Sequence, residues 1–263
     1  MTQKNELYEM IDLKQFLEEK YLQYNTPDFI AGDPVAVAHQ FTKNADIEIA
    51  GFLTAIISWG RRETIAKAGN YFMHLMGDEP ASFIKNASEA EIASVGRFVY
   101  RTFNGFDTQV FVHALRSVYN EYGTLEKAFF SPALPNMPDL SIAINRFKQR
   151  FFGMAEPGRS GKHLSDPLKN SAAKRINMFL RWMVRSDEHG VDFGIWKMIS
   201  PAHLVCPLDL HSGRVARRLG LLQRKQNDWK AALELTNNLR QLNPDDPVKY
   251  DFALFGLGWY EKF

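Results

Sequence analysis

Residues 205–222, VCPLDLHSGRVARRLGLL, carry signals for both ends of a helix. The chain enters at Pro207, the Asp209 carboxylate can accept hydrogen bonds from the first free amides, and Gly220 can close the far end. Such amides hold a carboxylate rigidly and keep it ionised. The segment therefore predicts a capped helix that begins at a fixed negative charge and continues into several arginines.

The rest of the chain shows helix signals and almost no strand signals. Apolar residues recur at helical spacing over 107–122 and 228–242. Ser88 and Glu91 form a capping box, and Asp33 and Asp246 each precede a proline that can open a helix. We therefore expect an all-α fold.

Length and composition limit the organisation of that fold. The chain has 263 residues, 45% of them hydrophobic, which is enough for one substantial core or for two helical subdomains that share a cleft. The longest apolar runs, such as 49–59, are too short to span a bilayer. The first twenty residues are charged and lack the apolar region of a signal peptide. We expect a cytoplasmic protein, monomeric and without a membrane partner.

Few residues are available as metal ligands. Cys206 is the only cysteine, which excludes an internal disulfide and an all-cysteine zinc or iron–sulfur site. The seven histidines show no paired-ligand spacing. We expect no metal and no cofactor.

The basic residues are unevenly distributed. The range from Arg146 to Arg185 contains ten basic and two acidic residues, and the range from His211 to Lys230 contains six basic and one acidic residue. The formal net charge of the whole chain is only +2. Such clustering is typical of a surface that binds a polyanion, although a solvated basic face without a partner has the same composition. The first cluster includes a Gly- and Pro-rich loop over 153–170.

The segment SAAKRINMFLRWMVR (171–185) predicts an amphipathic helix. Its apolar stripe holds Ile176, Phe179, Leu180, Met183 and Val184. Lys174, Arg181 and Arg185 lie on the opposite side, so we expect an exposed basic ridge headed by Lys174. An ordinary solvated face would give the same pattern.

Two of these segments carry a resemblance. SAAKRINMFL resembles the lysine-bearing helix of the helix-hairpin-helix (HhH-GPD) DNA glycosylases, and PLDLHSGRVARRLGL resembles their aspartate segment, V-D-x-H-V-x-R-V-x-x-R-L-G. DIEIAGFLTAIISWGRRETIAKA (46–68) is more weakly similar to their first long buried helix. Over nearly the whole chain, the runs from YRTFNGFD to DPVKYDFALFGLG resemble DUF2400, a bacterial family of domains of unknown function.

The resemblance implies a single HhH-GPD-like unit over 1–263, with its catalytic and DNA-binding part at about 153–222. It implies a DNA N-glycosylase with abasic-site lyase activity in base excision repair, acting on double-stranded DNA with a flipped damaged base. Asp209 would stabilise positive charge on the sugar, and Lys174 would be the nucleophile.

The chain departs from the HhH-GPD pattern at three points. NSAAK has Asn170 and Ala172 where the hairpin has glycines, and the endonuclease III iron–sulfur cysteines are absent. The 35-residue separation of Lys174 and Asp209 is closest to the archaeal 8-oxoguanine DNA glycosylases.

Further residues are candidates for DNA contacts. The basic candidates are Arg175, Arg181, Arg185, His211, Arg214, Arg61 and Arg62, and the candidates for an aromatic pocket are Trp59, Trp182, Trp259 and Tyr260. Two other functions remain open: a catalytically inert nucleic-acid-binding protein on the same scaffold, and a helical module for an acidic protein partner.

Overall fold

The computed structural model describes residues 3–132, 139–153 and 158–263, with side chains from residue 11 onward. Part of the predicted basic loop, 154–157, lies outside these residues. In chain order the α-helices are α1 (Gln3–Tyr24), α2 (Pro27–Ala31), α3 (Asn44–Ile56), α4 (Arg62–Leu75), α5 (Pro80–Asn86), α6 (Glu89–Val95), α7 (Gly105–Tyr122), α8 (Leu125–Phe130), α9 (Ser141–Phe152), α10 (Lys174–Val184), α11 (Leu210–Arg218), α12 (Trp229–Leu242) and α13 (Asp251–Trp259). Short 3-10 helices occupy Pro34–Gln40, Gly158–His163, Pro167–Lys169, Pro201–His203 and Pro247–Tyr250.

The predicted all-α class is confirmed: within the described ranges the chain forms helices and only two isolated β-bridges. The periodic segments 107–122 and 228–242 correspond to α7 and α12. Ser88 and Glu91 form the predicted capping box at the start of α6. A second capping box, between Asn104 and Asp107, begins α7, with Asn104 as the N-cap and Asp107 at the third helical position.

The chain divides into two compact units, one comprising Met1–Phe29 with Lys169–Phe263 and the other Ile30–Leu168. The unit formed by Ile30–Leu168 is built around phenylalanines. Phe129 and Phe147 stack at 3.7 Å between ring centroids, and Phe52 packs edge-on against Phe147 at 5.7 Å. All three rings are fully buried. The Glu48 carboxylate accepts a hydrogen bond from the amide of Leu125, so α3 also holds the start of α8.

The discontinuous unit contains α10 to α13 and the first helix. In it α13 packs against both α1 and α11. Gly256 allows the closest of these approaches, since a Cβ atom there would lie 2.0 Å from the ring of Tyr24. The apolar stripe predicted for 171–185 is buried, as expected for an amphipathic helix.

The predicted basic ridge is wrong for two of its three cations. Arg181 is 3% exposed and Arg185 is 1% exposed. Arg181 donates to Asp192 at 3.3 Å and forms an ion pair with Asp251. Helical periodicity places both arginines opposite the apolar stripe, but carboxylates from later segments cover that side as well. These two arginines are therefore not available as DNA contacts.

Arg185 joins distant parts of this unit. Its guanidinium donates to Asp192 at 3.1 Å, to Asp246 at 2.8 Å and to the hydroxyl of Tyr21 at 2.7 Å, and it also pairs with Asp187. Burial alone would lower the pKa of Arg185, but the carboxylates of Asp192 and Asp246 outweigh it and raise that pKa. One side chain at the end of α10 thus binds both α1 and the segment that leads into α13.

Replacing Arg185 tests this network. We expect Arg185→Met to lower the free energy of unfolding by about 3–5 kcal/mol, because it leaves buried carboxylates without their counter-charge. Chemical denaturation followed by circular dichroism measures the change. The matched control is Arg97→Met at an exposed position, for which we expect less than about 0.5 kcal/mol. Equal midpoints for the two variants would contradict the prediction.

Candidate active site

Lys174 is the first residue of α10 and follows a tight turn. Asn170 and Ala173 both have positive φ, 63° and 48°. The second left-handed position therefore falls on Ala173 rather than Ala172. An alanine in this region is strained, because its Cβ crowds the backbone. The turn is held from outside, since the Asn170 amide donates to Asp228 at 3.1 Å and Ser171 forms a β-bridge with Asp228.

Asp209 is the N-cap of α11, as the sequence predicts. Its Oδ1 atom accepts from the amides of His211 at 2.8 Å and Ser212 at 2.9 Å. The amide of Asp209 donates to the Ser212 hydroxyl, and its carbonyl accepts from the Asn227 side chain at 2.9 Å. These contacts occupy one carboxylate oxygen with the helix start and fix the backbone on both sides. The other oxygen, Oδ2, points to a different partner.

That partner is Lys174. Its Nζ atom lies 3.4 Å from Oδ2 of Asp209, and the two side chains are 35% and 25% exposed. The structure thus brings together two residues that are 35 positions apart in the sequence. Burial would raise the pKa of Asp209, but the ammonium of Lys174 and the amides of Ser212 and His211 hold that pKa below its ordinary value. Asp209 is consequently ionised at neutral pH, next to a primary amine that a ligand can reach.

A second carboxylate lies behind this pair, and the sequence reasoning missed it. Asp251, the first residue of α13, is buried, pairs with Arg181 and lies 4.0 Å from the Cys206 sulfur. Burial, with a contribution from the charge of Asp209, raises the pKa of Asp251 to about 6, although Arg181 and Lys174 oppose the shift. A signal was present in the sequence, since Asp251 is the only acidic residue in an otherwise apolar helix.

Aromatic side chains border α11. Trp259 is 45% exposed, and its ring lies 5.8 Å from that of His211 between centroids, in an edge-to-face arrangement. Phe255 stacks against Trp259, and Leu210, next to Asp209, is 76% exposed. Tyr260, a further pocket candidate, is also exposed. Trp182 is completely buried, so its assignment to an aromatic pocket is wrong.

Two of the remaining predicted cations belong to the same unit as Lys174. Burial lowers the pKa of Arg175 to about 10, which leaves it charged at neutral pH. Arg214 is exposed on α11 and donates to the carbonyl of Gly258 at 3.3 Å. Both lie on the helices that carry Lys174 and Asp209.

The other three predicted residues belong to the unit Ile30–Leu168. Arg61 is the exposed N-cap of α4, and Arg62 forms an ion pair with Asp33 at 2.9 Å. Trp59 packs against Tyr100 and His163. Arg61 is thus the most accessible of these candidates.

Within the described part of the chain, no group of three or more His, Cys, Asp or Glu side chains is arranged to hold a metal ion. In the same residues no helix is both long and apolar enough to cross a bilayer.

The raised pKa of Asp251 predicts a pH-dependent stability. The folded protein binds this proton more tightly than the unfolded chain, so stability should fall as the pH rises from about 4 to about 6, by up to about 3 kcal/mol. Asp251→Asn cannot ionise, so its stability relative to the wild type should improve across that window. Denaturant unfolding at about pH 4 and about pH 6 measures the free energy of unfolding of the variant and of the wild type. Asp245→Asn, at an exposed aspartate, is the control. The prediction would be contradicted if the difference in unfolding free energy between Asp251→Asn and the wild type did not change with pH.

Comparison with known proteins identifies the family. No curated protein and no solved structure matches the chain. A family model described as "Protein of unknown function (DUF2400)" matches residues 33–260, a range that includes Lys174, Asp209 and Asp251. The chain therefore belongs to the DUF2400 family.

Proposed function

We propose that the protein is a DNA N-glycosylase with associated abasic-site lyase activity, acting in base excision repair. One observation carries the proposal: the Nζ atom of Lys174 lies 3.4 Å from Oδ2 of Asp209. The sequence resemblance to the HhH-GPD glycosylases rests on the same two residues. Their proximity supplies the pair of groups that such a reaction needs, an amine and a fixed carboxylate that both remain accessible.

Asp209 would stabilise the reacting sugar. Breaking an N-glycosidic bond leaves positive charge on C1′ and the ring oxygen, and a carboxylate beside that carbon lowers the energy of this state. Asp209 suits the task because Oδ1 is held by two amides while Oδ2 is directed toward Lys174. A carboxylate fixed in advance does not have to reorganise as the charge develops.

Lys174 would be the nucleophile. Its ammonium gives up a proton and the neutral amine attacks C1′, while the base leaves with the electrons of the glycosidic bond and takes up that proton. Opening of the sugar ring converts the adduct to a protonated imine, and removal of a C2′ proton then expels the 3′ phosphate. The position of Lys174 at the first residue of α10 supports this role, because the strained turn before it fixes the backbone from which the lysine side chain extends.

Trp259 would contact the flipped base. A base must leave the stack before C1′ can be attacked, and an exposed aromatic ring can replace the lost stacking. Trp259 is 45% exposed, contacts His211, and is backed by Phe255. His211 is only two residues from Asp209, so the Trp259 ring, although part of α13, packs against the first turn of the helix that positions the carboxylate.

Covalent trapping tests the nucleophile. With borohydride and a duplex that contains an abasic site, we expect the wild type to form a stable amine adduct and Lys174→Gln to form none. Lys169→Gln, which removes an exposed lysine five residues earlier, is the matched control and should trap normally. Asp209→Asn keeps a cap acceptor but loses the charge, so excision from a panel of lesions should slow by at least about 100-fold.

Other outcomes distinguish the alternatives. Absence of any adduct, on abasic sites and on the lesion panel, would overturn the covalent mechanism. DNA binding that survives both Lys174→Gln and Asp209→Asn without any adduct would instead identify an inert nucleic-acid-binding protein. Absence of nucleic-acid binding at low salt would favour an acidic protein partner.

Replacing Trp259 tests the contact with the base. We expect Trp259→Ala to weaken binding of a duplex with a flipped base by about tenfold or more, because one stacking contact is lost. Trapping on an abasic site, which has no base, should be unchanged. Tyr71→Ala, at a similarly exposed aromatic residue, is the control. A loss of both activities in Trp259→Ala would contradict the assignment.

A further inference from the structure

A basic hollow is formed by the loop that leads into α12 and by the first turns of that helix. Its volume is about 620 Å³, and it is open to solvent. It is lined by Gln223, Arg224, Lys225, Gln226, Lys230 and Glu234. All six side chains are polar or charged, so the hollow offers hydrogen-bond donors and positive charge rather than an apolar surface.

The loop that forms the hollow is held in place by hydrogen bonds to its backbone. The Arg217 guanidinium donates to the carbonyls of Arg224 at 2.8 Å and Lys225 at 2.9 Å. The one lining acid, Glu234, accepts from the amide of Gln223. The hollow is therefore a fixed feature of the loop, and its acidic group is already engaged in holding that loop.

Two lysines in the hollow are uncommitted. Lys225 and Lys230 are exposed, and neither side chain forms an ion pair or hydrogen bond with any residue that the structure describes. Lys230 also lies in the first turn of α12, a helix of 14 residues whose N-terminal end adds partial positive charge. Arg224, in contrast, is paired with Asp228. Two unpaired cations on a fixed surface are suited to an anionic ligand.

The same loop is attached to both halves of the candidate active site. The Asn227 side chain donates to the carbonyl of Asp209, and Asp228 accepts from Asn170 in the turn before Lys174. All of these residues belong to one compact unit. A polymer that enters the site at Lys174 and Asp209 would therefore pass next to the hollow.

We propose that this hollow binds the sugar–phosphate backbone of DNA beside the nucleotide that reacts at Lys174, an identification of the polymer that rests on the proposed function. Lysine, arginine and glutamine side chains are common donors to phosphate oxygens, and such contacts position a duplex without reading its sequence. A protein partner is disfavoured, because protein interfaces depend on buried aromatic or apolar anchors that this lining lacks.

Salt dependence of binding tests the proposal. Each lysine that neutralises a phosphate contributes about 0.9 to the slope of log affinity against log salt concentration. We expect Lys225→Gln/Lys230→Gln to reduce that slope by about 1.8 for a duplex with an abasic-site analogue. The matched control is Lys85→Gln/Lys127→Gln, which removes the same charge from two exposed lysines of the other unit. Equal unfolding midpoints would exclude misfolding of either double variant.

The outcomes separate this proposal from the enzymatic one. An unchanged slope in Lys225→Gln/Lys230→Gln, or an equal fall in both double variants, would overturn the binding role of the hollow. A loss of affinity for polyglutamate without a loss for DNA would do so too, in favour of an acidic protein ligand. Failure to trap the wild type, together with a reduced slope in Lys225→Gln/Lys230→Gln, would overturn the catalytic proposal alone.

Discussion

A carboxylate shared by two arginines fixes the unit that carries the candidate site. The side chain of Asp192 is fully buried and accepts from Arg181 at 3.3 Å and from Arg185 at 3.1 Å. Arg181 lies in the last turn of α10 and Arg185 is its C-cap, so the helix cannot slide or rotate without exposing an unpaired charge to a low-dielectric interior. Lys174 is the first residue of that helix. The position of its amine thus depends on ion pairs formed at the opposite end of α10.

The same network connects to the second half of the site. Arg181 pairs with Asp251, whose charge interacts with those of Asp209 and Lys174. An ionised Asp251 disfavours the ionised form of Asp209, whereas a protonated Asp251 does not. The charge state of a buried residue would therefore influence the carboxylate that is proposed to act on the sugar. Arg181, which the sequence suggested as a DNA contact, is instead a buried partner of Asp251 and Asp192.

Local signals in the sequence predicted the helices and the cap. Asp209 and the Ser88–Glu91 pair appear in the structure as predicted, because capping depends only on residues two or three positions apart. Burial of Arg181 and Arg185 could not be predicted this way. Helical periodicity assigns an arginine to the solvent side, and the carboxylates that reverse this assignment lie up to 70 residues away. The left-handed Ala173 was missed for a similar reason, since the contacts around that turn come from Asp228.

Asp228 links the turn before Lys174 to the loop that carries Lys225 and Lys230. The pKa of this carboxylate is lowered, chiefly by its hydrogen bond with Arg224, so the turn that it holds has a fixed negative charge beside it. Because Arg224 pairs with that carboxylate, the turn gains no uncompensated positive charge, although it precedes Lys174 directly. Lys225 and Lys230 lie on either side of Asp228 in the sequence and face the open hollow. In the proposed binding mode the phosphate contacts would therefore lie at Lys225 and Lys230, in the loop that holds the turn, rather than in the turn itself.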